Sequence, residues 1–595
     1  MAYRSLNECI KDLEKNGMLI RIKDEVDPYL EMSAIHQMVF KKYKKAVLFE
    51  RVKGSKYQAV SNLFGTLEQS KFIFRKNISP VKGLVSLKGD PSQALKKPFT
   101  YLKSILTAPF ALPIKKWKDS FDEINISDIP QIQCWPMDGG PFVTLPQVFS
   151  EDIDKPGVLN SNLGMYRIQL GGNEYEQDKE IGLHYQIHRG IGVHQTKSNQ
   201  KGLPLKVSIF VGGPPAHSLA AVMPLPEGMS ELTFAGIMSG RNFRYVRKNG
   251  YVLSTDADFV ICGEIFADQV KPEGPFGDHL GYYSLTHDFP VMKVDKVYAK
   301  KNAIWPFTVV GRPPQEDSQF GALIHEITDG IIPTEIPGLK SVNAVDEAGV
   351  HPLLLAIGSE RYTPFNPNRK PQEILTIANH ILGKGQLSLA KYLFIVAGED
   401  NPNLNVQNEY EFFQHFFERV DWSRDLHFQT KTTMDTLDYS STGEINDGSK
   451  VVCAAAGPVL RTLAKDLQNC KFADNSLNPK LVMPGVLVVQ FKSNIEELLS
   501  NLEQSLLEGI AIITLVDDSN FVSENIENWL WATFTRSNPA EDIFGLHEKV
   551  ENKHWSCTVP VIDARIKKHH APMLIMPDDV LEKAKQKLER ATNEK

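Results

Sequence analysis

The chain has 595 residues, 42% of them apolar, and its 66 basic and 72 acidic side chains leave a net charge of -6 at pH 7. This length allows about three or four domains with large cores, and the mixed charges exclude the basic surface of a nucleic-acid-binding protein. The 6 cysteines form neither a CxxC pair nor a zinc-site spacing, which indicates free thiols in a reducing compartment. The first residues lack a signal-peptide core, and no apolar run approaches the roughly eighteen residues of a spanning helix. We therefore expect a cytoplasmic protein.

Residues 1–125 predict an amino-terminal α/β domain that ends in a linker. Leu6, Ile10 and Leu13 share one helical face, and Gly17 follows as a stop. The strand-like runs MLIRI and AVLFE come next, with a second helical pattern between them. Prolines and lysines then mix in the run TAPFALPIKKWKDSFDEI, as is typical of a linker.

The rest of the chain divides into two regions of different pattern. Residues 126–320 carry short apolar runs broken by Gly and Pro clusters, which predict a barrel or a sandwich. Residues 321–595 alternate longer helical patterns with apolar strands, which predict an α/β domain. The expected fold is therefore a multidomain protein of the α+β and α/β classes with a β-rich centre.

The carboxy-terminal region predicts an internal repeat of the segments 392–425 and 509–542. Each segment runs from an apolar strand through a pair of acids and a helical stretch to an aspartate. A constant offset of 117 residues superposes Ile395 on Ile512, Arg419 on Arg536 and Asp425 on Asp542. We interpret the match as a duplication of one strand–helix unit.

A last helix is predicted near the carboxy terminus. Val580, Leu581, Ala584 and Leu588 form an apolar stripe along it. Such a helix can cap its own domain or reach across to a partner subunit. We expect it to serve oligomerisation.

The segment EGPFGDHLGYY, residues 273–283, holds two carboxylates on a sharp turn. Glu273 and Asp278 lie on either side of a Gly-Pro-Phe-Gly bend, with His279 directly behind. Glycine adopts backbone angles closed to other residues and proline fixes its own, so the acids are held in a defined geometry. Two carboxylates held in this way can take different pKa values, one donating a proton while the other stays charged.

Three further blocks carry polar residues that suit a cofactor site: NLGMYR at 162–167, HYQIHRG at 184–190 and MPLPEGMSE at 223–231. Together with the turn, they resemble the active site of the UbiD-like decarboxylases, in the family's order and at compatible spacings. The opening of the chain, from VDPYLEMSAI to SNLFGT, resembles the family's amino-terminal domain. The resemblance covers residues 1 to about 390 and resumes near the carboxy terminus, where this chain is longer than the shorter family members.

The resemblance implies a split-barrel centre that binds prenylated FMN through a divalent ion. By that resemblance Asn162, His188 and Glu231 hold the ion, and this mostly oxygen donor set suits Mn²⁺ or Mg²⁺ better than zinc. K⁺ is a further candidate ion. Lys450, in a Gly-Ser-Lys run, resembles a family lysine that approaches the flavin phosphate. The residues that would line the flavin are Met165, Tyr166, Arg167, His184, Tyr185, Gln186, Arg189 and Gly190.

The same resemblance implies that Arg167, Glu273 and Asp278 are catalytic. The planar, permanently charged guanidinium of Arg167 suits a carboxylate partner, and Glu273 paired with it should stay ionised. Asp278, in a drier position, is then the candidate acid that protonates the ring carbon after CO₂ leaves. Members that act on cinnamic-type acids have glutamate at this position, so Asp278 followed by His279 and Gly-Tyr-Tyr resembles the hydroxybenzoate branch.

The sequence therefore favours a carboxy-lyase for an aromatic hydroxy acid in quinone biosynthesis, with 4-hydroxy-3-polyprenylbenzoate as the first candidate. The alternative within this class is a dihydroxynaphthoate, prenylated or not, on a route to menaquinone. A flavin reductase using ordinary FMN is the alternative from another class, but hydride transfer needs no acid pair. A catalytically inactive scaffold would not need the intact catalytic and metal sets.

The resemblance also implies the partners. A flavin prenyltransferase would supply the cofactor, and the chain would form a homo-oligomer, either a dimer or a hexamer. No nucleic acid is expected. A polyprenylated substrate would require at least transient, peripheral contact with a membrane.

Overall fold

The computed structural model describes residues 3–593, apart from the segments 90–97, 186–189, 224, 226–229, 329–335, 364, 367, 445 and 474–476. The predicted multidomain α/β fold with a β-rich centre is confirmed. Among the described residues, no helix combines the length and the apolar character needed to cross a bilayer.

The amino-terminal region is an α/β layer built on the predicted pattern. Ser5 caps the first helix by accepting a hydrogen bond from the Glu8 amide, and Leu6, Ile10 and Leu13 are buried on one face. The region's helices and strands are α1 Leu6–Lys15, β1 Leu19–Val26, α2 Glu31–Lys42, β2 Ala46–Val52, β3 Gln58–Ser61, α3 Leu67–Phe74, α4 Ile78–Gly89 and α5 Pro98–Ile105.

The central region is dominated by antiparallel strands. Its elements are β4 Ile114–Lys115, β5 Phe121–Ile124, β6 Phe142–Val143, β7 Pro146–Glu151, β8 Ser161–Gly164, β9 Ile168–Gln169, β10 Glu180–Leu183, α6 Gly190–Gln200, β11 Leu205–Val211, α7 Pro215–Val222, α8 Glu231–Ser239, β12 Arg244–Lys248, β13 Tyr251–Ser254, β14 Phe259–Glu273, β15 Phe276–Gly277, β16 Tyr283–Ser284, β17 His287–Lys300 and β18 Ile304–Pro306.

The main central sheet has 9 strands in the order β6-β9-β10-β17-β14-β11-β7-β8, with β5 added on β17. In the described part of the chain its two end strands do not pair, so the sheet stays open, as expected of a split barrel rather than a closed one. The residues predicted as a linker are structured, because β5 joins this sheet and β4 pairs with β12. The last strand, β18, pairs with β3 and completes the amino-terminal sheet in the order β1-β2-β3-β18.

The carboxy-terminal region returns to α/β structure. Its elements are α9 Glu316–Thr328, β19 Leu339–Ala344, β20 Leu353–Gly358, α10 Glu373–Leu382, β21 Tyr392–Ala397, α11 Glu409–Arg419, β22 Leu426–Thr433, β23 Asp447–Ala455, β24 Cys470–Lys471, β25 Lys480–Met483, β26 Val486–Gln490, α12 Ile495–Glu503, β27 Leu506–Leu507, β28 Ile512–Val516, α13 Ser519–Ser523, α14 Ile526–Thr535, α15 Pro539–Asp542, β29 Ile543–Leu546, β30 Lys549–Glu551, β31 His554–Ser556, β32 Val559–Asp563 and α16 Asp578–Asn593.

Two sheets of 5 strands lie in this region and share one topology. The first has the order β19-β20-β21-β23-β22 and the second the order β25-β26-β28-β32-β29. In both, the three inner strands are parallel and the two outer strands are antiparallel to their neighbours. The predicted offset of 117 residues also relates the first residues of α11 and α14 and those of β22 and β29. We propose that the two units, called here the first and second carboxy-terminal sheets, arose by duplication.

The terminal helix α16 packs against the amino-terminal region of its own chain. Ala584 and Leu588 are buried in the core that also contains residues of β1 and α2, and the Lys587 ammonium lies 2.7 Å from the Glu31 carboxylate. The apolar stripe is thus covered within one chain. Of the two roles expected for this helix, the packing favours the cap over the contact with a partner.

Candidate active site

The acid-bearing turn is held by hydrogen bonds from the central region. Glu273 is the last residue of β14, and Gly274 follows with φ +90°, a conformation that favours glycine. The Gly274 amide donates to the Gln169 side-chain oxygen at 2.9 Å, and the Gly277 amide donates to Asp138 at 2.8 Å. A Cβ atom on Gly277 would lie 2.1 Å from a carbon of the Trp135 ring, so only glycine fits there. These contacts hold both the bend and its position.

Arg167 brings the two acids together. Its Nε and Nη2 atoms each donate to one oxygen of Glu273 at 2.8 Å, and its Nη1 atom donates to Asp278 at 2.9 Å. Nη2 also donates to the Ser284 hydroxyl at 3.1 Å, and the Phe276 ring lies 4.7 Å from the guanidinium carbon. The Glu273 side chain is fully buried, while those of Arg167 and Asp278 are each 10% exposed. The three residues predicted as catalytic thus form one charged cluster.

The expected separation of the two pKa values is not found in this cluster. Burial disfavours both carboxylates, but the charge and hydrogen bonds of Arg167 lower the pKa of Glu273 to about 2. The pKa of Asp278 also lies well below its usual range, because hydrogen bonding and charge from His279, together with Arg167, outweigh its burial. Both acids are therefore ionised, and the proton needed for an acid role must lie on a neighbouring group.

That neighbour is His279, whose Nδ1 atom lies 2.8 Å from Asp278 Oδ1. Burial disfavours its charge, but the hydrogen bond and charge of Asp278, with Asp435 and Asp317 nearby, raise the pKa of His279 to about 9. The imidazolium therefore stores a proton directly beside the acid predicted to use it.

Two side chains of the first carboxy-terminal sheet extend this group. His351 forms a hydrogen bond with Asp435, and ligand atoms of His279, His351 and Asp435 all lie within 4.8 Å of one another. The side chains of His279 and His351 are 22% and 26% exposed, so both reach solvent. His279 stands in the acid-bearing turn, but nothing local in the sequence indicates the other two, which come from distant loops.

Asn162 and Glu231 lie together as predicted for a cation site. Glu231 begins α8 and accepts a hydrogen bond from the Leu163 amide at 3.3 Å, directly beside Asn162 on β8. Burial raises the pKa of Glu231, and no described lysine or arginine forms an ion pair with it. The buried Asn162 amide nitrogen has no hydrogen-bond partner, and the amide oxygen leaves no room for a Cβ atom on Gly190. A partly buried carboxylate without a described ion-pair partner, beside the amide oxygen of Asn162, is a donor set that fits a bound cation; His188 lies outside the described residues.

The residues expected to line the flavin surround the same strand ends. The Met165 amide donates to the Ala221 carbonyl, the Tyr166 and Tyr185 rings lie 6.0 Å apart, and His184 Nδ1 lies 3.2 Å from Glu273. Gln186 and Arg189 lie outside the described residues. Lys450, on β23, directs its ammonium to the Ser388 carbonyl, and no described contact links it to the other predicted residues.

Comparison with known proteins identifies the family to which this chain belongs. Models of the 3-octaprenyl-4-hydroxybenzoate carboxy-lyase family match its amino-terminal domain at residues 10–88, its Rift-related domain at 111–313 and its carboxy-terminal domain at 318–455. A protein of Chlamydia trachomatis is 35% identical over 97% of both chains. The chain belongs to the UbiD family of carboxy-lyases. A Chlamydia pneumoniae relative, named as one of the subunits of a 4-hydroxybenzoate decarboxylase, is 34% identical over 94% of each chain.

Solved UbiD-class structures share the fold. Vanillic acid decarboxylase of Sedimentibacter hydroxybenzoicus, in its closed form, superposes with a TM-score of 0.64 at 21% identity, covering 85% of this chain and 99% of the other. The UbiD-class enzyme HmfF of Pelotomaculum thermopropionicum, solved with FMN, gives a TM-score of 0.60 at 21% identity, covering 77% of this chain and 95% of that one. At this identity the likeness shows the fold alone.

The second carboxy-terminal sheet lies beyond the UbiD family models, and residues of its region contact the acid-bearing turn. The Trp531 indole donates to the Leu280 carbonyl at 2.8 Å, and its ring stacks on Tyr282 at 5.4 Å. The Arg536 guanidinium donates to the Tyr282 hydroxyl at 2.9 Å. Beyond this sheet, the Leu574 amide donates to the Gly281 carbonyl at 3.1 Å. The turn is therefore braced by a part of the chain that the shared family domains do not include.

Proposed function

We propose that this protein removes CO₂ from an aromatic hydroxy acid without net oxidation, with 4-hydroxy-3-polyprenylbenzoate in quinone biosynthesis as the favoured substrate. The observation that carries the proposal is the cluster in which Arg167 joins Glu273 and Asp278 while His279 holds a proton beside Asp278. The names of the Chlamydia pneumoniae and Sedimentibacter relatives support a hydroxylated benzoate.

Prenylated FMN and a divalent ion are the proposed cofactors. When bound, the prenylated flavin would supply the electron sink for cleavage of the carbon–carbon bond. Asn162 and Glu231, with His188, would hold Mn²⁺ or Mg²⁺ against the flavin phosphate. FMN in one HmfF structure and prenylated FMN in another support this choice.

The charges of the cluster explain how Asp278 would gain a proton. Arg167 and the His279 imidazolium balance the Glu273 and Asp278 carboxylates, so an entering substrate carboxylate adds an unbalanced negative charge. Several negative charges close together favour protonation of one carboxylate. The His279 imidazolium is hydrogen-bonded to Asp278 and can supply that proton. Transfer along this hydrogen bond leaves a neutral acid beside a neutral imidazole.

Proton balance then closes the cycle. Asp278 donates its proton to the ring carbon that has lost CO₂, and becomes a carboxylate again. The partly exposed edges of His279 and His351 face solvent, so water can return a proton to His279. Glu273, fixed by two hydrogen bonds to Arg167, keeps the guanidinium oriented throughout.

A substrate panel tests the proposal. Holoenzyme made together with a flavin prenyltransferase is incubated with 4-hydroxybenzoates, prenylated 4-hydroxybenzoates and dihydroxynaphthoates, and CO₂ release is measured. We expect turnover of a hydroxybenzoate only with prenylated FMN. Turnover of dihydroxynaphthoates alone would move the protein to the menaquinone route, and full activity with ordinary FMN would contradict the mechanism.

The metal site has its own test. Glu231→Gln removes the partly buried charge at nearly constant shape, so we expect loss of the divalent ion together with weaker flavin retention. Glu176→Gln, at an exposed site outside the predicted metal set, is the matched control. Metal content is measured by mass spectrometry after gel filtration, and an unchanged ratio in Glu231→Gln would place the ion elsewhere.

A further inference from the structure

Large apolar side chains crowd onto the surface of one short segment. Ile105, Leu106, Leu112, Ile114 and Trp117 are 49%, 63%, 63%, 42% and 89% exposed. The other exposed large apolar side chains of the described residues are scattered singly or in pairs along the chain. Isolated exposed apolar residues are ordinary, but a group in one segment indicates a surface that something covers. We call residues 103–118 the docking segment.

The same stretch is strongly basic. From residue 91 to residue 118 the sequence contains 6 lysines and neither aspartate nor glutamate. Lys103, Lys115 and Lys118 are exposed, and none of them forms an ion pair with a described acid. Their positive charge is therefore available to an external anionic surface.

Two acids close to the docking segment, Asp119 and Asp256, form ion pairs with bases outside it. Asp119 lies 3.3 Å from the Lys248 ammonium. Asp256 lies 3.5 Å from the Arg241 guanidinium and 3.6 Å from that of Arg244. Because these carboxylates are already paired, they leave the lysines of the segment largely uncompensated.

The backbone of the docking segment is held firmly while the apolar and basic side chains named above are exposed. The Asn242 side-chain amide donates to the Pro109 carbonyl at 2.7 Å and to the Leu112 carbonyl at 2.9 Å. Strand β4 pairs with β12, and the Phe110 carbonyl approaches helix α8 so closely that a Cβ atom on Gly236 would lie 2.1 Å from it. The exposure is thus a fixed property of the fold and not the fraying of a loop.

We propose that the docking segment binds the protein peripherally to the surface of an anionic phospholipid bilayer. Tryptophan and aliphatic side chains insert at the boundary between headgroups and acyl chains, and lysines contact anionic headgroups while their stems lie along the apolar surface. The segment packs on α8, the helix that begins with Glu231. Docking would therefore hold the cofactor end of the central region near the bilayer.

Vesicle flotation of the full-length holoenzyme tests the proposal without any turnover. The probes are vesicles of phosphatidylcholine alone and of phosphatidylcholine with phosphatidylglycerol. We expect binding to the anionic vesicles, weaker binding to neutral ones, and loss of binding as salt rises. Because the readout is binding, it stays informative even if the proposed reaction is wrong.

Variants locate the surface. Trp117→Ser, and separately Lys115→Glu combined with Lys118→Glu, should each weaken binding to anionic vesicles by at least about tenfold. Phe365→Ser removes an aromatic side chain that is 84% exposed elsewhere, and Lys549→Glu reverses an exposed lysine elsewhere; both should bind normally. Equal binding by all variants, or no binding to either vesicle, would overturn the proposal.

Fluorescence gives an independent measurement. Trp117 is 89% exposed, whereas Trp555 is only partly exposed and the other five tryptophans, Trp135, Trp305, Trp422, Trp529 and Trp531, are buried. Brominated lipids should therefore quench the emission of the wild type through Trp117, and quenching should be lost in Trp117→Ser. If Trp117→Ser instead lowers the mass seen by light scattering and leaves flotation unchanged, the segment joins copies of this chain and the membrane proposal is wrong.

Discussion

The two carboxy-terminal sheets have the same strand order but contact the acid-bearing turn in different ways. Loops of the first sheet contribute the imidazole of His351 and the carboxylate of Asp435, which lie beside His279. The second sheet's region contributes Trp531 and Arg536, which fix the backbone and Tyr282 without adding an acid or a base to the proton path. The difference shows that one architecture, used twice, can separate the chemistry of a turn from its mechanical support.

A substitution in the acid-bearing turn should lower turnover more than any other, because both sheets contact this turn. Asp278→Asn keeps the shape and a hydrogen-bonding amide but cannot deliver a proton to carbon. General acids typically contribute 10²–10⁴-fold, so we expect turnover to fall by at least about a hundredfold. Flavin and metal should stay bound, and exchange of the product's ring hydrogen with deuterated solvent should slow in parallel. Near-normal turnover and exchange would assign the proton to another group.

The proposed proton store is tested through His279, a positioning residue that acts through Asp278. Its pKa is raised to about 9, so the wild-type rate should fall as the pH rises through that value. His279→Asn should lower turnover by roughly 10–100-fold and abolish this alkaline limb. His380→Asn, at an exposed site on α10, is the matched control. An unchanged pH profile in His279→Asn would show that the stored proton lies elsewhere.

The same pKa shift predicts a dependence of stability on pH. Because the folded-state pKa of His279 is raised, its contribution to the free energy of unfolding is complete below the unfolded-state value of about 6.5. The contribution is lost as the pH rises through about 9. Urea unfolding between these limits should show a steeper loss of stability in the wild type than in His279→Asn. Parallel curves would contradict the assignment.

Weakening the contact of the second carboxy-terminal sheet with the turn should lower turnover less and leave the pH profile unchanged. Trp531→Phe keeps an aromatic ring against Tyr282 but loses the hydrogen bond to Leu280, so we expect turnover to fall by about threefold to tenfold through misplacement of the turn. Trp529→Phe, on the same helix, loses an equivalent hydrogen bond to Thr514 that does not reach the turn. It should keep full activity at similar stability. An equal fall in turnover in Trp531→Phe and Trp529→Phe would show that the hydrogen bond from Trp531 does not position the turn.

The terminal helix should affect activity least. Leu588 is buried against the amino-terminal region, so Leu588→Ala should lower the free energy of unfolding by about 2–4 kcal/mol. The rate of the folded enzyme should stay nearly constant, and the exposed Glu589→Ala should leave stability nearly unchanged. A lower oligomeric mass in Leu588→Ala, without loss of stability, would return the helix to an intersubunit role.

Sequence patterns predict the local features well. The face of α1, the glycine-bound turn and the pairing of Arg167 with Glu273 all depend on neighbouring residues or on a motif that the family shares. The raised pKa of His279 comes mainly from its neighbour Asp278, but the burial that opposes the charge and the further support from Asp435 and Asp317 arise only in the folded chain, so local sequence does not predict the balance. For the same reason the lysines and prolines of the docking segment predict only a linker. That its backbone is held while its apolar side chains stay exposed follows only from the fold.

The short strand β18 has a consequence for the order in which this protein folds. Trp305 pairs with Ala59, so the amino-terminal sheet lacks its fourth strand until the ribosome has made the whole central region. Contacts between residues so distant in sequence form slowly, and an unpaired strand edge meanwhile exposes hydrogen-bonding groups to other chains. The amino-terminal sheet is thus completed only after the central region that follows it in the chain has been made.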